Sequence, residues 1–431
     1  MPNPITVHKF GGGVLRDAAA IRKLCEIVHA ERPNVIVVSA LGKTTKALEA
    51  IFQQSVAGQD YTEAVEALCA FHQDLMAQLF AGEEALSATM LAALRQELVE
   101  TLASAPRLAS TDELYSAVVS WGELIAVQIV QRSLQKTLGP HEVSRGEYVW
   151  LDARSYIVTQ GEMCNAQIDW PATEAAATTT FTRHIAAGRC VLIQGFVGRH
   201  AAATTTLGKE GSDFTAAVMA ALLGAAGVTI WKDVPGVMSA DPRIFKDARL
   251  LDQLSYCDLA EMAFYGAKVV HARTLQPLAA HGIPLYVKSF HNPQAPGTVV
   301  TDQVPASPQP FYVLKEDQCL LKLCLPGLQL FEEKHCEQLF AELHRHGMQA
   351  NCLVRGAHSL VACLPQDVCK SASLLAALDQ QFEVQCQAPV SLLTAVYALD
   401  EAARELLQGS TILMTQQCQE IYQVVFQAAA P

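Results

Sequence analysis

The chain opens on a short apolar run, Ile5 to Phe10. Gly11-Gly12-Gly13 follows at once, and then a stretch from Asp17 to Glu31 in which Ile21, Leu24, Cys25 and Val28 recur at i, i+3, i+4, i+7. That spacing predicts a helix with one buried face. Pro33-Asn34 interrupts it, and Val35-Ile36-Val37-Val38 reads as a second buried strand before the turn Ser39-Ala40-Leu41-Gly42. Two apolar strands around one helix make a βαβ unit, which implies a parallel sheet. Thr45 to Ser104 is helical and rich in Ala, Leu and Glu, and Gly122 to Gln135 reads as another helix. Val191-Leu192-Ile193 predicts a third buried strand leading into Gly195-Phe196-Val197-Gly198. Ala201 to Thr206 reads as a loop of small residues, and Asp213 opens a helix with Ser212 or Asp213 as its N-cap. A later strand is expected over Ile283 to Val287.

The pattern changes across Asn292 to Pro310, which carries Pro293, Pro296, Pro305, Pro308 and Pro310 and reads as a boundary. Beyond it, strands are expected at Cys319–Leu325, Ala350–Val354, Leu360–Leu364 and Val384–Gln387, with helices at Glu332–His346 and Gln366–Gln380. That order, βαββαβ, is a ferredoxin-like plan. The tail from Ser391 to Gln427 repeats strand, helix and two strands in shortened form. The expected division is therefore 1–303, an open, mainly parallel α/β sheet sandwiched by helices, and 304–431, an α+β part. Phe214 to Trp231 is uncharged and long enough to suggest a membrane span. Its Ala and Gly content, with Gly224 and Gly227 near its end, predicts a buried helix followed by the strand Val228–Trp231 instead.

Composition narrows the class. Of 431 residues, 51% are hydrophobic and 17% charged, which suits large folded cores rather than disorder. A net charge of −12 repels phosphate backbones and anionic lipid, so neither nucleic acid nor membrane is an expected partner. The 13 cysteines show no paired zinc-type spacing and read as reduced thiols packed as small hydrophobes. Met1-Pro2-Asn3-Pro4 lacks the regions of a signal peptide, so a cytoplasmic location is expected.

Four segments carry candidate chemistry. Lys9-Phe10-Gly11-Gly12-Gly13 sits at a strand-to-helix turn. Glycines let backbone amides approach an oxyanion, and Lys9 adds a point charge. The dinucleotide fingerprint fails because Arg16 stands where its last glycine is needed. A Walker A loop ending in Gly42-Lys43-Thr44 fails because its first glycine falls on Val37. Thr204 to Thr215 gathers hydroxyls, glycines, Lys209, Ser212 and Asp213 at the start of a helix, a setting that suits an anionic ligand as well as a capped surface loop. Trp231-Lys232-Asp233-Val234-Pro235-Gly236 through Asp241-Pro242-Arg243 places charges after a strand, where open α/β sheets bind ligands. Gly266-Ala267-Lys268-Val269-Val270-His271 puts Lys268 and His271 on one helix face, and His271 is given no catalytic role.

Together and in this order, these segments resemble the aspartate kinases of the amino-acid kinase superfamily. The resemblance rests on Lys9 to Gly12, Val38-Ser39-Ala40, Ser120-Trp121-Gly122-Glu123, Thr205 to Asp213, Asp241-Pro242-Arg243 and Gly266 to His271, and covers about Val7 to Val300. It implies ATP-dependent phosphorylation of the aspartate side-chain carboxylate, with Mg²⁺, as an early step toward lysine, threonine and methionine. It implies that Lys9 contacts the transferred phosphoryl group and that Asp213 orients Lys9 or the metal-bound phosphates. Ser39, Thr45, Glu123, Lys209 and Ser212 would hold L-aspartate. Gly11, Gly12, Lys232, Asp233, Met238, Asp241, Arg243 and Lys268 would serve the nucleotide.

The C-terminal part resembles a pair of ACT domains, which implies an amino-acid effector and a homodimer. The chain departs from the family pattern in having Gly13-Val14 in place of a hydroxyl pair and Lys209 in place of arginine. Met238 stands where tyrosine is usual, and Lys232 where threonine is common. Lysine keeps the charge at 209 but not the bidentate grip on a carboxylate. Two other readings follow from the same residues: a sister kinase acting on another acid or a nucleotide, and a non-catalytic amino-acid-binding regulator.

Overall fold

The computed structural model describes residues 4–104, 110–137, 147–267, 269–303, 309–327, 329–397 and 401–428. They form two units. One comprises Met1–Val237, Asp252–Ala260 and Val269–Val304, the other Met238–Leu251, Glu261–Lys268 and Pro305–Pro431.

The first unit is built on an eight-stranded sheet. Its strands lie in the order Gln253–Ser255, Thr298–Thr301, Leu285–Ser289, Gly227–Lys232, Thr6–Phe10, Val35–Val38, Cys190–Gln194, Tyr148–Trp150. Every neighbouring pair is parallel except Leu285–Ser289 against Thr298–Thr301. All four residues of Val35–Val38 are buried, as a strand covered on both faces requires. The helix Ala18–Glu31 buries the stripe Ile21, Leu24, Cys25 and Val28. It starts where the Asp17 carboxylate accepts from the Ala20 amide, and it ends at Arg32 in the left-handed region.

The helical stretch that follows resolves into Thr44–Val56, Thr62–Leu79 and Glu84–Ala103. The next helix runs Thr111–Lys136, eleven residues earlier than the periodicity suggested, because the Ser110 hydroxyl accepts from the Glu113 amide and caps it there. By length and apolarity it is the one helix among the described residues that could cross a membrane. It is instead a core helix: Val118, Trp121, Ile125 and Ile129 are buried, and the Trp121 indole donates to the Leu94 carbonyl at 2.5 Å. The apolar run that begins at Phe214 is likewise a buried helix, Gly211–Leu223, followed by the strand Gly227–Lys232.

Two local expectations are corrected. Ala201 to Thr206 is not a plain loop, since Ala203–Thr206 pairs antiparallel with Val197–His200. β-Branched threonines favour that pairing. The helix begins at Gly211, one residue after Glu210 in the left-handed region, and neither Ser212 nor Asp213 caps it. The stretch Asn292 to Pro310, within which the two units divide, also holds the strand Thr298–Thr301, whose Thr298 hydroxyl accepts from the Val237 amide at 2.8 Å.

The second unit holds a six-stranded antiparallel sheet in the order Cys352–Arg355, Ser359–Pro365, Phe311–Cys324, Glu383–Val396, Ile421–Gln427, Thr411–Cys418. Two strands of 14 residues each run through its middle and are paired with each other, with register shifts near Gln318. Each long strand therefore serves two ferredoxin-like modules. Cys319–Cys324 pairs with Ser359–Pro365 and Glu383–Gln387 in the first, and Phe311–Lys315 pairs with Leu392–Val396 beside Ile421–Gln427 in the second. The tail thus contributes three strands and the helix Glu401–Leu407, and the start of the unit fills the fourth strand position. Leu321, Leu323, Leu339, Leu343, Leu374 and Leu378 form the core of the first module. The cysteines depart from expectation at one point: Cys369 and Cys386 form a disulfide, and the other eleven are free.

Candidate active site

Four adjacent strands of the first unit end side by side, and their C-terminal ends carry the candidate chemistry. Lys232 ends Gly227–Lys232, and Lys9 sits one residue before the end of Thr6–Phe10. Ser39 follows Val35–Val38, and Gly195 follows Cys190–Gln194. This is the edge at which open parallel sheets bind ligands.

Two glycines let backbone come close there. A Cβ on Gly12 would lie 2.4 Å from the Ala40 carbonyl oxygen, and one on Gly195 would lie 2.5 Å from the Ser212 Cβ. The bare Gly195 therefore allows the N-terminus of helix Gly211–Leu223 to sit against the strand ends. Asp213, in the first turn of that helix, is 1% exposed.

Asp213 is the hub. Its Oδ1 lies 2.5 Å from Lys9 Nζ, and its Oδ2 accepts from Lys232 Nζ at 3.0 Å. Burial pushes the Asp213 carboxyl up, but the two ammonium groups, Lys9 first, outweigh it and hold the carboxyl below its ordinary value. Burial likewise lowers Lys232, and the Asp213 carboxylate more than offsets that, so Lys232 stays firmly charged. One carboxylate between two lysines leaves a net positive cluster at the base of the cleft.

Glu123 is the opposite case. It lies in the middle of helix Thr111–Lys136, which approaches Thr44–Val56 closely because Gly122 has no side chain: a Cβ there would meet Thr44 Cγ2 at 2.8 Å. Glu123 is 3% exposed, and its Oε2 has no hydrogen-bond partner in the described structure. Burial pushes its pKa to about 8, against smaller opposing effects of Lys9 and of a backbone bond to Ala40. A buried carboxyl with one free oxygen is an acceptor awaiting a donor.

Lys9, Gly12, Ser39, Thr45, Glu123, Lys209, Ser212, Asp213 and Lys232 all line one cavity of about 490 Å³, a volume suited to a small ligand. Gly11 lies against the Lys9 ammonium, 2.9 Å from where its Cβ would stand. Asp233 is not among the lining residues; it is exposed and binds Arg16 Nη2 at 3.1 Å. Met238, Asp241 and Arg243 belong to the second unit. There Met238 bridges to Leu250, and Arg243 donates to both Asp241 oxygens. Lys268 lies outside the described residues.

The cavity also recruits residues that the motifs did not single out. Glu49 accepts from the Tyr115 hydroxyl at 3.0 Å, and burial followed by that bond pushes the Tyr115 pKa to about 12. Glu49 is one helical turn beyond Thr45, so the helical spacing could have found it. Phe196 and Glu210 also line the cavity; Glu210 lies within the Thr204–Thr215 segment but is given no role there, and no sequence signal marks Phe196.

Two lysines, a glycine turn and a helix N-terminus gather around one cleft at the C-terminal edge of a mainly parallel α/β sheet, a setting suited to an anionic group. Residues 4–289 match the amino acid kinase family, and the chain belongs to that family, among its aspartokinases. It is 30% identical over 409 residues to the lysine-sensitive aspartokinase 3 of Escherichia coli, covering 91% of this chain and 87% of that protein. It is similar to the solved structure of E. coli aspartokinase III in complex with aspartate and ADP, with TM-score 0.79, 26% identity and coverage of 99% and 96%. The same enzyme in complex with lysine and aspartate gives TM-score 0.80 at 27% identity, covering 98% and 95%. The chain spans only 32% of the length of the bifunctional aspartokinase/homoserine dehydrogenase 2 of Arabidopsis thaliana, which it matches at 31% identity.

Proposed function

We propose that this chain transfers the terminal phosphoryl group of ATP to the side-chain carboxylate of L-aspartate, yielding 4-phospho-L-aspartate and ADP. The observation that carries the reading is the Lys9–Asp213–Lys232 cluster facing the unpartnered Glu123 oxygen across one cavity. A cationic end for phosphate and an anionic end for an α-ammonium are what this pair of substrates requires.

The acceptor carboxylate has an ordinary pKa of about 3.9 and is ionised at neutral pH, so no general base is needed. Catalysis reduces to alignment and neutralisation of charge. Lys9 stabilises the phosphoryl group in flight, and Asp213 fixes both lysines in place. Glu123 accepts the α-ammonium of aspartate. Lys209, Ser212, Thr45 and Ser39 hold its carboxylates. Gly12, and Gly11 beside it, keep the turn open for the phosphates. Both Asp213 oxygens face ammonium groups, so this carboxylate does not fit as a protein ligand for Mg²⁺, and the ion enters with the nucleotide as part of that substrate. Asp233, Met238, Asp241, Arg243 and Lys268 are assigned to the nucleotide by resemblance alone. Retention of the charged cluster speaks against a decayed, non-catalytic domain.

The ferredoxin-like modules support a second element of the reading, control by an end-product amino acid. The E. coli relative has been solved with lysine. Titrating lysine, threonine and methionine into the assay tests this, and indifference to all three at millimolar levels would remove it. The function itself is tested by ATP-dependent formation of aspartyl hydroxamate in hydroxylamine, which traps an acyl phosphate.

A further inference from the structure

We propose that Cys319, Cys369 and Cys386 form a redox-modifiable thiol site in the second unit, with a hydroperoxide as its oxidant. Their three sulfur atoms lie within 4.8 Å of one another, although they come from separate segments. Cys319 lies on Phe311–Cys324, Cys386 on the neighbouring strand Glu383–Val396, and Cys369 in the short helix Asp367–Lys370. Cys386 is opposite Leu321 in the ladder, and Cys319 is two residues from Leu321, so both side chains project to the same face of the sheet. Cys369 and Cys386 are bridged across a sequence separation of 17, with Cα atoms 6.5 Å apart, within the range a disulfide spans.

The three thiols are not equivalent. Cys386 is exposed, Cys369 half-buried and Cys319 fully buried. The Cys319 thiol donates to the Pro365 carbonyl at 3.6 Å, and burial pushes its pKa to about 11. An oxidant therefore meets Cys386 first. Its thiolate attacks a peroxide oxygen, forming an S–O bond as the O–O bond breaks and one water leaves. The Cys369 thiolate then attacks that sulfur, forming the S–S bond and releasing the oxygen as a second water. Two thiols and one hydrogen peroxide give one disulfide and two waters. Here Cys319 stands close enough to either sulfur to resolve or exchange the bond.

The experiment uses the full chain, reduced with dithiothreitol, desalted and exposed to equimolar hydrogen peroxide. Thiols are alkylated over time and mapped by mass spectrometry. Cys257 and Cys418 are exposed free cysteines outside the cluster and serve as internal controls. The expected result is a Cys369–Cys386 disulfide that forms at least tenfold faster than either control is lost and reverts with dithiothreitol. The Cys369→Ser variant should cross-link Cys386 to Cys319. The proposal is overturned if Cys369 and Cys386 remain as alkylatable as the controls. It is also overturned if Cys386 over-oxidises without cross-linking, if Cys369→Ser gives no Cys319–Cys386 bond, or if a bound metal ion shields all three thiols from peroxide.

Discussion

Replacing Glu123 with glutamine separates what this residue costs the fold from what it gives the site. Its carboxyl titrates near pH 8 in the folded chain against an ordinary value of 4.5. A raised acid pKa means the folded state holds the proton more tightly. The stabilising proton is fully held below pH 4.5 and is lost as pH rises through 8. Linkage then makes the unliganded wild-type chain lose about 2 kcal/mol of stability between pH 6 and pH 8 through this group alone. Glu123→Gln keeps the shape and removes the titration, so the variant should escape that loss and be the more stable protein at pH 8. At pH 7 only about one site in ten is ionised. Aspartate, whose ammonium needs the anion, should therefore bind with proton release, and its KM should fall about tenfold from pH 6 to 7 and about fivefold from pH 7 to 8. Urea melts of both proteins at pH 6 and 8, compared as differences so that the histidines cancel, measure the stability arm. Aspartate KM against pH measures the binding arm. Parallel stability differences at the two pH values, or a pH-independent KM with Glu123→Gln still active, would show that Glu123 is not a proton-linked anion for the substrate ammonium.

The cationic end of the cleft offers three further tests. Gly12→Ala places a Cβ 2.4 Å from the Ala40 carbonyl oxygen, so it should lower stability by about 1–3 kcal/mol and raise the KM for ATP; thermal melts and steady-state kinetics check both. Lys232→Met removes one of the two ammonium groups that hold the Asp213 carboxyl low. A depressed carboxyl contributes stability that is present above its unfolded pKa and lost as pH falls, so circular dichroism should show the variant's acid transition at higher pH than wild type. Lys209→Arg restores a bidentate grip on a carboxylate and should lower the aspartate KM about fivefold, roughly 1 kcal/mol, while leaving the KM for ATP unchanged.

How far the sequence speaks depends on whether the signal is local. The opening strand, helix and strand were legible because Ile21, Leu24, Cys25 and Val28 recur at helical spacing and Val35–Val38 is apolar throughout. The start of the long helix was not legible, because one hydroxyl at Ser110 decides it and the turn beyond it is not strongly periodic. Ala203–Thr206 was misread because small residues look like loop until a partner strand is known. In the site, Lys9, Glu123 and Asp213 are carried by motifs, but only the fold reveals that Asp213 sits between two lysines while one Glu123 oxygen is left without a hydrogen-bond partner. Phe196 enters through tertiary packing that no spacing encodes. The same holds for the meeting of Cys319, Cys369 and Cys386 across a sheet.

Acyl phosphate formation is the decisive readout. With ATP, Mg²⁺ and hydroxylamine, the chain should convert L-aspartate to its β-hydroxamate, and Lys9→Ala should abolish this while its circular dichroism spectrum at the assay temperature stays native, although loss of the buried partner of Asp213 lowers its melting temperature. Hydroxamate from another acid but none from aspartate, or undiminished turnover in Lys9→Ala, would contradict the proposed function.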